Sequence, residues 1–326
     1  MLKAQHTIVS PSSILTAIQK HYPGIHAYDC QLLALGCNDN YHIKAKRQDY
    51  AFRLYRLNWW PEKDIDEELR FLEAMHRRKL NVCKPVRANN QQRYIKLKSA
   101  EGIRFAALFK FIEGNPLSQN FVKRNVNLHN LGELVARMHS IADSIKPEIQ
   151  RWQMDFDAMV TPFINNMHIV LGHREKDMRY LQRLSSQLEE TLLSQPADVF
   201  NHGLCHGDLH LHNVMLQPDG ELSLFDFDWS GYSWRAYDLA TIWWSLPRQQ
   251  KSLTPWRAFL RGYQSHTALT KQDKQLMPWF VILRQFEYLN FQLSMRPHIG
   301  TAWLNDNYYD FNIGFFKNWI KLHIKK

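Results

Sequence analysis

The 326-residue chain predicts an α+β fold, with a strand-rich first third and a mainly helical remainder. Three observations carry that reading. Short alternating segments at Cys30–Leu35, Tyr41–Lys46 and Tyr50–Arg56 are separated by the turn-like runs Gly36-Cys37-Asn38-Asp39-Asn40 and Arg47-Gln48-Asp49. Beyond residue 128 the apolar positions recur at three and four residues. Within the helical part, Val214-Met215-Leu216 and Leu222–Phe225 flank Gln217-Pro218-Asp219-Gly220, the pattern of a hairpin.

Taken in order, Ser10 to Gln19 reads as an opening helix capped by Ser10 or Ser12. The three strand segments follow as an antiparallel meander. Pro61 to Arg78 reads as a helix with an apolar stripe of Ile65, Leu69, Leu72 and Met75. Acidic residues crowd its first turns and basic ones its last, the order the helix dipole favours. Strands are expected near Val82–Ala88, Tyr94–Lys98 and Ile103–Phe111. Gly114 and Pro116 then break the pattern, so the division is placed at 1–115 and 116–326. A stripe from Leu128 to Met138 sets His139 at a helix end. Residues 155–195 suggest two more helices, and 236–326 are helical and aromatic-rich.

Composition bounds the function. Hydrophobic residues make up 45%, which excludes a wholly disordered chain. Lys and Arg exceed Asp and Glu by 41 − 31 = 10, which suits an anionic ligand such as a nucleotide phosphate. No run of five or six like charges is present, so no nucleic-acid tail is expected; the KLHIKK end is short. Cys30, Cys37, Cys83 and Cys205 are scattered and argue against a disulfide framework or zinc ribbon. Neither a signal peptide nor a membrane span is read, so a cytoplasmic protein is expected.

The chemistry concentrates in HGDLHLHN (206–213) and DFD (226–228). Asp208 and Asn213 stand five apart in a loop before a strand, and the hairpin returns Asp226 toward that loop. Two carboxylates and an amide suit Mg²⁺, a hard cation that takes oxygen ligands. They also leave one carboxylate to accept a proton from a hydroxyl.

These motifs resemble the catalytic and metal loops of the aminoglycoside phosphotransferase and choline kinase superfamily, distant relatives of protein kinases. The likeness extends to LGCNDNYHI (phosphate loop), YAFRLYR (nucleotide-binding base), Glu67–Leu72 (facing helix), LFKFIEGNPL (hinge), LGELVARMHS (first large-lobe helix) and WRAYDLA (segment after the metal loop). It implies a bilobal protein-kinase-like fold, with ATP bound between the lobes under the 36–40 loop. Asp208 would orient and deprotonate the acceptor hydroxyl, while Asn213 and Asp226 would hold Mg²⁺. Arg53 would contact the α/β-phosphates with Glu68, rather than Glu67, as its partner. Backbone N–H groups of Asn38, Asp39 and Asn40 would lie over the phosphates, and Phe109, Lys110 and Phe111 would line the adenine site.

Three positions depart from the family pattern. Arg53 stands where protein kinases have Lys, Cys37 where many relatives have Gly, and Asp228 where the kinase motif has Gly. Asp228 is open to reading as a second metal ligand or a substrate contact. The implied acceptor is a hydroxyl-bearing small molecule, with protein Ser/Thr, as in a bacterial stress-response branch, as the alternative. Two other classes compete with it: a metal-dependent phosphoesterase built on His206, Asp208, His210 and His212 along a strand, and a non-catalytic nucleotide binder. Asp238 is read as a brace for the catalytic loop. Trp229, Trp234, Trp243, Trp244 and Trp303 are read as core packing in preference to a cage for a cation.

Overall fold

The computed structural model describes residues 4–119, 124–145, 148–195, 201–246 and 252–324; the last two lysines of the basic end lie outside them. The chain opens with α1 (Pro11–His21), whose first turn is capped by the Ser10 side chain accepting from Ser13 N–H. Strands β1 (Ala27–Leu35), β2 (Asp39–Ala45) and β3 (Tyr50–Leu54) precede α2 (Glu62–Arg77). After it come β4 (Pro85–Val86), β5 (Ile95–Lys98), β6 (Ile103–Lys110) and β7 (Asn115–Pro116). Helices α3 (Arg124–Ile145), α4 (Phe156–Val170) and α5 (Glu175–Leu193) follow. Then come β8 (His202–Cys205), β9 (Val214–Leu216), β10 (Leu222–Leu224) and β11 (Gly231–Trp234). The chain ends with α6 (Arg235–Ser245), α7 (Thr254–Gln264), α8 (Lys271–Ser294), α9 (Arg296–Ile299) and α10 (Asp306–His323). Among the described residues, no helix is long and apolar enough to cross a membrane.

The chain divides into two compact units. The first holds residues 1–120, 144–151 and 213–228; the second holds 121–143, 152–212 and 229–326. This differs from a single cut at 115, because the β9–β10 hairpin belongs with the first unit. β9 pairs with β7, and Cys83 N–H donates to Leu224 O at 3.1 Å, so backbone hydrogen bonds draw the hairpin into that unit.

In the first unit an antiparallel sheet runs β1-β2-β3-β6-β4, with β5 also on β6. Side chains alternate across it. Tyr41, Ile43, Phe52, Leu54 and Leu108 face a core that Ile14 and Ile18 of α1 complete. The register sets Asn40 opposite Arg53 and Asp39 opposite Leu54, so Asn40 and Arg53 share the other face. Asp39 and Asn40 are therefore strand residues, and the turn is confined to 36–38. Asp39 points into the core, where Arg104 Nη2 meets its Oδ2 at 2.7 Å. Arg104 is almost fully buried and its charge is met from every side. Nε donates to Tyr55 O, Nη1 to Thr7 O and Glu101, and Nη2 also to Leu54 O.

In the second unit β8 pairs with β11, a strand the sequence reading did not anticipate. Helix α8 is the central element. Its buried face includes Leu276, Phe280, Leu283, Phe286 and Leu293, and it packs on α4 and α6. His139 lies inside α3, six residues before its end, and is buried. Helices α3 and α7 approach backbone to backbone. A Cβ on Gly262 would lie 1.9 Å from His129 O, and one on Gly132 would lie 2.1 Å from Phe259 O. No rotamer can relieve such a clash with main chain, so Gly262→Ala should cost about 1–3 kcal/mol or more. Calorimetry of that variant is expected to show a melting temperature several degrees lower; an unchanged value would refute the close-approach argument.

Candidate active site

In the first unit the site grows from strand alternation. Arg53 shares its face of β3 with Ala51 and Tyr55, and α2 lies opposite. In the structure Arg53, Glu67 and Glu68 are all buried, because α2 presents its acidic side inward. Glu67 binds Arg70 and Gln150 N–H, while Glu68 reaches the sheet. Arg53 Nη1 meets Glu68 Oε1 at 3.1 Å and Nη2 meets Asp226 Oδ1 at 2.8 Å. The second Glu68 oxygen accepts from Tyr55 O–H at 2.9 Å. The guanidinium also lies 5.4 Å from the Phe109 ring centroid. Burial opposes the Arg53 charge, but Asp226 and Glu68 outweigh it and hold the pKa well above its ordinary value. Burial pushes the Glu68 carboxyl upward, against Arg53. A buried charge cluster of this kind persists because each member is matched.

The hairpin sets the backbone of Asp226 next to that of Asn213. With Val214 opposite Leu224, Phe225 N–H donates to Asn213 O at 3.2 Å, and Asp226 follows at once. Asp226 has φ +67°, a left-handed conformation that Asp tolerates better than most residues. Such strain is maintained when the surroundings over-determine it. Here the Arg53 contact is one such hold. The Asn213 amide and the Asp226 carboxylate are hard oxygen donors, and the Asp226 side chain keeps 37% exposure. This donor set fits Mg²⁺.

Asp228, two residues on, is buried and adds its charge to those acting on Arg53. Its Oδ2 accepts from Asn38 Nδ2 at 3.0 Å, and its backbone oxygen accepts from Arg151 Nη2 at 2.6 Å. Asn38 Oδ1 in turn accepts from Arg56 N–H, while the Arg56 side chain donates to the carbonyls of Cys37 and Gly36 at 2.9 and 2.8 Å. Residues 36–38 are thus pinned by Arg56 and tied to the DFD segment through Asn38. At the hinge, Lys110 N–H donates to Lys84 O and Phe111 N–H to Asp49 O. The Phe111 ring lies 4.4 Å from His42. The backbone donors of Lys110 and Phe111 therefore serve the protein itself.

Residues 206–210 form a loop and 211–213 a single 3-10 turn, so the strand alternation of the phosphoesterase reading is not present; all but Asn213 lie in the second unit. Gly207 has φ +83°, and a Cβ there would meet Trp229 O at 2.0 Å. Asp238 braces this loop. Its carboxylate accepts from His206 N–H at 2.8 Å and Gly207 N–H at 3.0 Å, and it meets His139 Nε2 at 3.0 Å. Buried His139 is held below its usual pKa by desolvation. His206 is buried, and its Nδ1 accepts from Asp208 N–H at 3.3 Å.

Arg284 meets Asp208 Oδ1, and His210 Nε2 lies 3.4 Å from Oδ2. Burial opposes ionisation, but the Arg284 charge outweighs it and holds the carboxyl far below the usual range. Arg284 Nη1 binds Glu287 Oε2 at 2.9 Å. The sequence reading missed Arg284, Glu287 and Arg56. The available signal was an Arg and a Glu three apart inside the apolar run VILRQFEYL, where a charge is expensive unless paired. The tryptophans are dispersed: Trp229 packs on Trp152, Trp243 stacks on Trp256, and Trp244 lies over Arg284.

The model of the "Phosphotransferase enzyme family" matches residues 30–273, about three quarters of the sequence. The chain belongs to that family. Arg53, Glu68, Asp208, Asn213 and Asp226 all lie inside the matched span, and Arg284 and Glu287 lie beyond it. An uncharacterized protein of Deinococcus radiodurans is 28% identical over 98% of this chain and 93% of its own length. Among solved structures, a microcompartment-associated aminopropanol kinase superposes with a TM-score of 0.76 at 21% identity, over 96% of both chains. An amicoumacin kinase in complex with AMP-PNP, Ca²⁺ and Ami gives 0.74 at 17%, over 96% of this phosphotransferase and 94% of that chain. These likenesses establish a protein-kinase-like α+β fold for this family member, as the motifs implied.

Proposed function

We propose that this phosphotransferase is a kinase that moves the γ-phosphoryl group of ATP to a hydroxyl of a small-molecule acceptor. The observation that carries the reading is the Arg53–Glu68–Asp226 cluster, one cation between a buried and a half-exposed carboxylate, with Asn213 next to it along the hairpin. Similarity to an aminopropanol kinase and an amicoumacin kinase supports a small acceptor over a protein.

Arg53 supplies a permanent cation for the phosphates, and its planar fork serves Glu68 and Asp226 at once. Asn213 and Asp226 would hold Mg²⁺, which neutralises charge on the phosphate oxygens when bound. The pinned 36–38 loop would shape the phosphate cover, as Arg56 holds its Gly36 and Cys37 carbonyls in place. Asp208 accepts a hydrogen bond from the acceptor hydroxyl and orients its oxygen toward the γ-phosphorus. The new O–P bond forms as the bond from phosphorus to the β,γ-bridging oxygen breaks. ADP leaves, and the hydroxyl proton passes to Asp208. A low carboxyl pKa is compatible with this, since a loose transition state needs an orienting acceptor more than an early proton sink.

The test is ADP release from Mg·ATP across a panel of amino alcohols, aminoglycosides, sugars and serine-rich proteins. Acceptor-dependent release with a small molecule is expected. Release with serine-rich protein alone would favour a protein kinase, and nucleotide binding without turnover on any acceptor would overturn the reading.

A further inference from the structure

Two buried arginines in this protein are held in contrasting ways. Arg104 has its Nε, Nη1 and Nη2 donors all satisfied, the mark of a structural cation. Arg284, at 6% side-chain exposure, has Nη1 on Glu287 and the Tyr237 hydroxyl and Nη2 on Asp208, while its buried Nε has no partner. An unsatisfied buried donor is destabilising. The side chain is therefore aimed at Asp208 at the expense of its own hydrogen bonding. Trp244 lies over the guanidinium at 5.0 Å, and Gln285 fixes that indole through its N–H at 2.7 Å.

The catalytic loop needs such a hold. Asp238 fixes the main chain of His206 and Gly207, but those bonds do not set the Asp208 side-chain rotamer. Arg284 engages Oδ1, while Oδ2 lies 3.4 Å from His210 Nε2. We propose that Arg284 is a positioning residue for Asp208, clamping Oδ1 and so fixing the carboxylate rotamer that turns Oδ2, on the His210 side, toward the acceptor hydroxyl, with Glu287 and Tyr237 holding Arg284 in place. This rests on the reading of Asp208 as the residue that faces the acceptor. The charged and titratable groups described around Asp208 in this unit are Arg284 and Glu287 on α8, His206 and His210 on its own loop, and Tyr237 on α6. Glu287 is pushed up to about 7 by burial, against Arg284, so it can become neutral when Arg284 is lost. That relieves one of the two charges a neutral substitution would strand.

The experiment is the pH profile of kcat from pH 4 to 9 for Arg284→Met, Arg284→Gln and Arg284→Lys, with Asp208→Asn alongside. Without the cation, burial drives the Asp208 carboxyl upward, and a protonated carboxyl cannot accept the hydroxyl proton. The acid limb of kcat, which lies below this window in the parent, should therefore rise into it in the Met and Gln variants. The Lys variant restores a charge without the fork and should keep the limb low, with kcat between parent and Met. The Gln variant carries the test if Met fails to fold. An unmoved limb, with kcat lowered equally at every pH, would reduce Arg284 to a structural ion pair. If Asp208→Asn is inactive while the Arg284 variants match the parent, this proposal alone fails. If Asp208→Asn turns over normally, the reading beneath it fails.

Discussion

Asp208→Asn should lower turnover about 10²–10⁴-fold, the range general-base groups contribute, while nucleotide affinity stays within a few-fold of the parent. The substitution is isosteric and keeps an oxygen able to accept from Arg284, so the loop geometry survives. It removes the negative charge that attracts the hydroxyl proton. It also removes the counter-charge of a guanidinium whose Nε is already unpartnered, so some loss of stability is expected with the loss of rate. Asp208 lies in the second unit and the Arg53 cluster in the first, so nucleotide binding and acceptor activation are separable measurements. Titration calorimetry with Mg·ATP and steady-state assays on one preparation would distinguish them. Near-parental turnover would refute the assignment of Asp208 as base.

Asp226→Ala is expected to abolish the Mg²⁺ dependence of nucleotide binding and to lower turnover by at least about 10²-fold, the scale of losing one preorganised electrostatic contact. Two losses coincide. The oxygen donor set keeps only the Asn213 amide, and Arg53 keeps only Glu68 of its two carboxylates. Arg53 needs that second anion, since burial works against its charge and Asp226 is its largest support. Backbone strain confounds the Ala variant, because φ is +67° at this position. Asp226→Gly accepts that conformation and separates strain from chemistry. It should be as inactive as Ala but more stable by about 1 kcal/mol. Mg·ATP affinity equal to the parent in the Gly variant would remove Asp226 from the metal site.

Much of this molecule is written in local sequence. Ser10 and Pro11 start α1 where capping chemistry places it, and Pro61 introduces α2. The Gln217–Gly220 turn specifies the hairpin, whose register alone returns Asp226 to Asn213. Short-range rules suffice there because the interacting groups are only a few residues apart or are joined by a tight turn.

Tertiary packing decided the rest. A polar-looking edge of α2 became a buried charge layer once it faced Arg53. Asp39, read as a turn residue, became a core anion because strand alternation aimed it at Arg104, 65 residues away. Arg284 meets Asp208 across 76 residues. In local sequence terms it is one cation in an apolar helix. A buried charge takes its meaning from its partner, and a partner contributed by a distant segment leaves no periodicity or spacing to read. The helical and strand pattern was therefore set by the sequence itself, while the identity of each matched charge in both units was settled only when the chain had folded.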